Sequence, residues 1–317
     1  MRLEFFFRIN ALRITDYELR ISNYYLLFTV GLVVFAILQK RMKQNLFKIS
    51  VRNCLRGLLL VRYPQVRTAA REIVGNFWNG YYRQEFTPVA VLYDVTLPID
   101  ARIPFRPRMV WVYMGFLFPL LAVCGHAFAK RGPHALPHIE KLLQGFGSLY
   151  ADAGYVYGKA QTTFVRTGGD RVVSVLRLID KERNSAPSLH VAVVLYTYSA
   201  GLALFQALEL TDVAHARGVL ERVAVRIIES TLLIKQHCVQ DVGTAWALVE
   251  LQQVSAPEDM AHIVQSLFLQ KRHGVPVGDV PKVHAEILRV HRLVHASPAR
   301  SLESIVSYIL TLPRKNM

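Results

Sequence analysis

Residues 187–241 read PSLHVAVVLYTYSAGLALFQALELTDVAHARGVLERVAVRIIESTLLIKQHCVQD. From His190 to Leu208 the chain carries no charge; a polar patch, Glu209 to Ala216, follows, and an apolar run then returns to His237. At roughly 1.5 Å of rise per residue, some twenty residues out and twenty back predict two antiparallel helices of about 30 Å. The turn between them sets His190 and His237 at the same depth. His237 and Asp241 are four apart, so on one helical face the carboxylate reaches the imidazole and fixes its tautomer.

Working outward, Lys159 and Arg166 precede this hairpin, and Ser188 stands beside Pro187 as a helix-start signal. Backbone N–H groups at 188–190 would then face a bound anion. Cations hold a phosphoryl group, one histidine protonates a leaving oxygen, and an oriented histidine attacks phosphorus. Each required type is present once or more between 159 and 241.

In that order, Lys159-x6-Arg166, Pro187-Ser188-x-His190 and Ser230-x6-His237-x3-Asp241 resemble the three motifs of the type 2 phosphatidic acid phosphatase superfamily. The likeness covers roughly residues 98 to 250. Leu189, the run Lys235-Gln236-His237, Ile103-Pro104-Phe105 and Val110-Trp111-Val112-Tyr113 are more similar to its inositolphosphorylceramide-synthase-like branch. The chain departs from the pattern at Thr167, where the family has proline, and at Thr231, where it has arginine. Lys235 is the nearest replacement cation, with charge but without the bidentate fork of arginine. Gly243 follows the aspartate sooner than the family's glycine.

The resemblance implies a membrane enzyme that cleaves a lipid phosphoester through a phosphohistidine. His237 would be the nucleophile, Asp241 its orienting partner and His190 the general acid. Lys159, Arg166, Ser188 and Lys235 would bind the phosphate. Neither metal nor cofactor is implied, because cations neutralise the developing charge. Water as acceptor makes a phosphatase; an alcohol makes a synthase of the inositolphosphorylceramide kind. A catalytically inactive lipid-binding or scaffold relative, and a soluble helical binding protein, are the other readings open to the sequence.

Composition agrees with a membrane setting. The chain has 317 residues, 52% hydrophobic, with mean hydropathy +0.24, too apolar for an ordinary soluble enzyme. Its net charge of +15 is spread along the chain. No zinc-finger spacing or aromatic RNA-binding signature accompanies it, so anionic lipid headgroups rather than nucleic acid are the expected counterpart. Cys54, Cys124 and Cys238 are widely spaced, which predicts buried free thiols.

Taken in order, residues 1–23 form an extension in which a seven-residue pattern at Leu12 is echoed from Leu19. Residues 24–97 hold a first span, within Ile21 to Gln39, closed by the basic cluster Lys40-Arg41-Met42-Lys43, and then a basic and aromatic segment with Trp78, Tyr81 and Tyr82. That segment reads equally as an interfacial stretch or as a loop packed on the helices. Residues 98–252 are the catalytic core, with spans at Met109 to Ala129, kinked at Pro119, and at Leu142 to Gly158. The latter carries Asp152, which marks either a functional group or partial insertion.

Arg226, Glu229, Lys235, His237 and Asp241 are placed on one helix facing a polar pocket. Residues 253–317 form a polar helical tail with patterns near 257–271, 281–296 and 301–311. There His284, His291 and His295 recur on one face, without a carboxylate or cysteine at ligand-like spacing. The expectation is an all-α, multi-pass bundle of about five spanning helices. Thirteen Lys or Arg in residues 40–108 place the site on the cytoplasmic side by the positive-inside tendency.

Overall fold

The computed structural model describes residues 51–87, 89–180, 183–253, 257–270, 273–296 and 301–316. The N-terminal extension and the expected first span at Ile21 to Gln39 lie outside the described residues.

Residues 51–87 are mostly helical and pack on the bundle, where the sequence reads as an interfacial stretch or a loop. Helices α1 (Val51–Leu59) and α2 (Pro64–Asn76, its first turn set by Pro64) pack on α3 (Phe118–Arg131) and α4 (Leu136–Lys159) respectively. Glycine permits the first crossing: a Cβ on Gly125 would lie 1.9 Å from the Asn53 carbonyl oxygen, and one on Gly57 2.1 Å from that of Leu121. Helix α5 (Arg171–Ile179) starts on an Asp170 cap that accepts from Val172 N–H.

Helix α6 (Leu189–Ala207) is apolar on every side, the pattern of a helix surrounded by others. It packs against α3, α4, α7 (Val213–Leu233) and α8 (Val239–Glu250). Just past its C-terminal end Arg131 donates to Leu208 O and Glu209 O, both at 2.8 Å, placing a cation where the helix dipole favours one. A short link from Leu208 to Asp212 then returns the chain along α6 as α7, giving the expected hairpin.

The tail folds as α9 (Pro257–Ser266), α10 (Val280–His295) and α11 (Leu302–Leu310), close to the periodic segments read from the sequence. Helix α10 lies against α8 at Gly243, where a Cβ would meet Val290 Cβ at 2.8 Å and Ile287 O at 2.9 Å. That close approach accounts for the glycine two residues past Asp241.

The chain is mostly helical, but a small sheet was not anticipated. Strand β1 (Val91–Asp94) lies between β2 (Thr162–Thr163), parallel, and β3 (Arg314–Asn316), antiparallel. Tyr93 pairs with Thr162, and Leu92 with Lys315. Strands this short carry too little alternation to be read. Each comes from a different one of the three stretches 24–97, 98–252 and 253–317, and the sheet ties them together. The three cysteines are buried and free.

Among the described residues, two helical stretches are long and apolar enough to cross a membrane, Pro107–Lys159 and Leu189–Ala207. The segments expected as separate spans at 109–129 and 142–158 both belong to the first. It is interrupted after the single turn Val110–Tyr113, before Pro119, and again at Gly132–Ala135. Pro119 thus opens a helix instead of kinking one, because its missing N–H is harmless there. Helix α7 does not qualify, since Arg217, Glu221, Arg222, Arg226 and Glu229 lie along it. Two of these charges are neutralised inside the protein. Glu229 accepts from Arg226 at 3.0 Å and from Phe268 N–H at 2.8 Å, and His273 Nε2 lies 3.0 Å from its carboxylate.

Candidate active site

The sequence places His237 and Asp241 on one helix with Arg226 and Glu229; the structure does not. Helix α7 ends at Leu233, Lys235 takes a left-handed conformation (φ 57°), and α8 begins at Val239 with Cys238 as its cap. His237 therefore stands just outside the helix and Asp241 in its first turn. Their contact survives because a carboxylate in the first turn of a helix bends back to free N–H groups. Asp241 Oδ2 accepts from Cys238 N–H at 2.9 Å and from His237 Nδ1 at 3.1 Å, and it also accepts from Ser185 Oγ. The carboxylate is fully buried, so every lone pair it uses is answered by protein.

With Nδ1–H donating to Asp241, the neutral ring keeps its bare lone pair on Nε2. Nε2 is buried and has no hydrogen-bond partner among the described residues. The His190 ring lies 5.7 Å away, centroid to centroid, inclined at 50°. His190 sits in the first turn of α6 and is clamped by Tyr113 (3.9 Å, stacked) and Phe116 (4.2 Å). The two histidines are brought together, as the hairpin geometry predicts.

The segment before α6 is held from three sides. Tyr157 in α4 donates to Pro187 O at 2.5 Å, and Ala186 N–H donates to Thr162 Oγ1 at 2.8 Å. The Ala186–Pro187 peptide is cis. Ser188 is wholly buried, and its hydroxyl accepts from Val191 N–H at 3.3 Å, a capping role. Its own N–H donates to Asp241 O at 3.3 Å. That correction removes one backbone donor from the set expected to face an anion.

The four expected phosphate-binding side chains are not gathered equally. Arg166 is buried, with Nη1 donating to Asp180 O at 2.6 Å and Nη2 at 3.8 Å from Asp180 Oδ1. Lys235 Nζ donates to the backbone carbonyl of Asp100 at 2.5 Å. Lys159, the last residue of α4, is exposed over the Tyr155 ring at 5.6 Å, and no contact joins it to either histidine among the described residues. The extended strand Thr162–Thr163 that follows carries Arg166 inward and leaves Lys159 outside.

Sequence reasoning missed Asp180. Its carboxylate accepts from Tyr113 Oη at 2.8 Å, Tyr81 Oη at 3.0 Å and Gln236 Nε2 at 3.0 Å. Burial alone would raise its pKa, but the charges of Arg166, His190 and His237 and the Tyr113 hydroxyl hold it below the usual aspartate value. A carboxylate thus occupies the centre of an anion-favouring ring. Two of the partners had a signal, since Tyr113 ends Val110-Trp111-Val112-Tyr113 and Gln236 lies within Lys235-Gln236-His237. Asp180 itself caps the C-terminal end of α5, where no neighbouring residue signals its partners on other elements.

Asp100 was also missed. Its Oδ1 accepts from Val239 N–H at 2.9 Å, at the start of α8, and its Oδ2 from Leu97 N–H at 2.8 Å. Burial pushes its pKa up to about 6, against the opposing pull of these hydrogen bonds. The start of α8 is therefore fastened by two separate carboxyl groups, Asp241 at Cys238 and Asp100 at Val239.

Comparison with protein-family models, with curated proteins and with solved structures gave no match in any of the three.

Proposed function

We propose that the chain is a membrane lipid phosphatase or phosphotransferase working through a phosphohistidine. The observation that carries the reading is His237: Nδ1 tied to a buried carboxylate, Nε2 without a partner among the described residues, and a second imidazole ring 5.7 Å away. His237 Nε2 attacks phosphorus, forming an N–P bond as the P–O bond to the lipid breaks, and His190 gives its proton to the departing oxygen. His190 then takes a proton from water or an alcohol, whose oxygen displaces His237 from phosphorus. Arg166, with the hydroxyls and amide now on Asp180, supplies the nearest donors for the phosphoryl oxygens. The apolar stretches Pro107–Lys159 and Leu189–Ala207 support a membrane setting, and a multi-pass arrangement with a cytoplasmic site is part of the proposal.

A second reading, a lipid-binding relative without turnover, draws on the same ring of donors. Asp180 already fills it, Lys159 lies outside, and the Thr231 hydroxyl donates to Ile228 O at 2.8 Å where the resembled family has arginine. The two readings separate in one assay. Purified protein in detergent is given a panel of lipid phosphates, with and without alcohol acceptors. Phosphate release or transfer that disappears in His237→Ala and His190→Ala carries the first reading; binding of the same lipids without turnover carries the second.

A further inference from the structure

At the far end of α8, 41 residues apart in sequence, a second carboxylate meets two imidazoles. Glu250 is the last residue of α8, and His291 and His295 stand one turn apart on α10. His291 Nε2 lies 3.0 Å and His295 Nε2 2.8 Å from the same oxygen, Glu250 Oε2. One ligand atom from each of the three residues falls within 4.8 Å of the other two. The sequence showed the histidine pair but no carboxylate near it; packing of α10 on α8 supplies one.

We infer that Glu250, His291 and His295 bind a divalent transition-metal ion, with Zn²⁺ the best match. Two neutral imidazoles and one carboxylate are a borderline donor set suited to Zn²⁺ and related ions, and three protein ligands leave a further position for water. Ligands about 2.1 Å from a tetrahedral ion stand ~3.4 Å from one another, so the two Nε2–oxygen distances, 3.0 and 2.8 Å, need to open by about 0.4–0.6 Å.

Three further features favour an ion over a simple hydrogen-bonded cluster. His295 Nε2 is buried and, though close to Glu250, forms no hydrogen bond there. Trp246 Nε1 donates to Glu250 Oε1 at 2.6 Å while its ring stacks on His291 at 3.8 Å, so one side chain orients two ligands from behind. Finally, Glu250 sits at the negative end of the α8 macrodipole, where a carboxylate is unfavourable unless a positive charge answers it. The ion would fasten the C-terminal tail to the helix whose other end carries Asp241.

The test uses the full chain, purified, stripped with a chelator and titrated with Zn²⁺ and with Co²⁺. Wild type takes up about one equivalent, its melting temperature rises, and Co²⁺ gives the visible spectrum of a four-coordinate nitrogen–oxygen site. Glu250→Gln and His295→Ala weaken uptake by at least roughly 100-fold, and Trp246→Phe by roughly 10-fold through lost orientation. X-ray absorption of the Zn²⁺-loaded wild type reports two imidazoles, a readout that needs no variant to fold. Absence of uptake, a shell without imidazole, or uptake unchanged in these variants but lost in His190→Ala or His237→Ala would overturn the assignment.

Discussion

Helix α8 has a carboxylate and two imidazoles at each end, and the two clusters are built in opposite ways. At the N-terminal end, Asp241 lies where the helix dipole favours negative charge. It takes Cys238 N–H and His237 Nδ1–H and leaves Nε2 without a hydrogen-bond partner among the described residues, with the His190 ring 5.7 Å away. At the C-terminal end, Glu250 lies where the dipole opposes it, and both Nε2 atoms turn inward onto one oxygen. In the proposed reading, the same residue types thus give an oriented nucleophile in one place and a convergent ligand set in the other. Which ring nitrogen meets the carboxylate decides the chemistry.

The largest effect expected from breaking the first arrangement is loss of turnover in His237→Ala, by about 10³-fold or more, read as inorganic phosphate released from a lipid phosphate. His190→Ala lowers the same rate by about 10²–10⁴-fold, with a smaller loss for substrates whose leaving oxygen needs no proton. Asp241→Asn keeps the size of the side chain but weakens its hold on the tautomer. It is expected to lower kcat by on the order of 10²-fold and stability by about 1–3 kcal/mol, because a buried acceptor site becomes a donor. Chemical denaturation separates that stability loss from the loss of rate.

Gly243→Ala, midway between the clusters, drives a methyl group against Val290 and Ile287. It should cost about 1–3 kcal/mol, read as a lowered melting temperature. The last effect concerns pH and needs no substitution to be seen. Asp100 titrates at about 6 folded, against an ordinary value of 3.8, so the native state holds this proton more tightly than the unfolded chain does. Its contribution to stability is therefore greatest below about pH 4 and falls by up to about 3 kcal/mol as pH rises through 6. Melting curves across that window should show the slope, and Asp100→Asn should flatten it.

Much of this was legible in the sequence. The uncharged run after His190 and the polar patch before the return fixed the α6–α7 hairpin and the meeting of the two rings, because helix rise is constant. The buried free thiols and the helical tail followed from spacing and periodicity in the same way. What was not legible depends on groups far apart in the chain. Nothing near residue 235 announces that the helix stops at Leu233, because the stop is enforced by Asp100 and Asp241 holding the start of the next helix. Asp180 and Glu250 gain their importance only from partners on other elements. Lys159 fits a motif by spacing, yet the strand after it turns the lysine outward. The charged residues of α7 looked costly in lipid; Arg226 and Glu229 pair with each other, and the tail covers that pair through His273 and Phe268.

The central claim is that His237 Nε2 becomes bonded to phosphorus. Purified protein incubated briefly with a ³²P-labelled lipid phosphate and quenched in alkali should retain label that is stable to base, labile to acid, and mapped to His237. The label should be lost in His237→Ala, and in His190→Ala it should build up on substrates with a good leaving group. Turnover without any acid-labile phosphoenzyme, or label on another residue, would contradict the account.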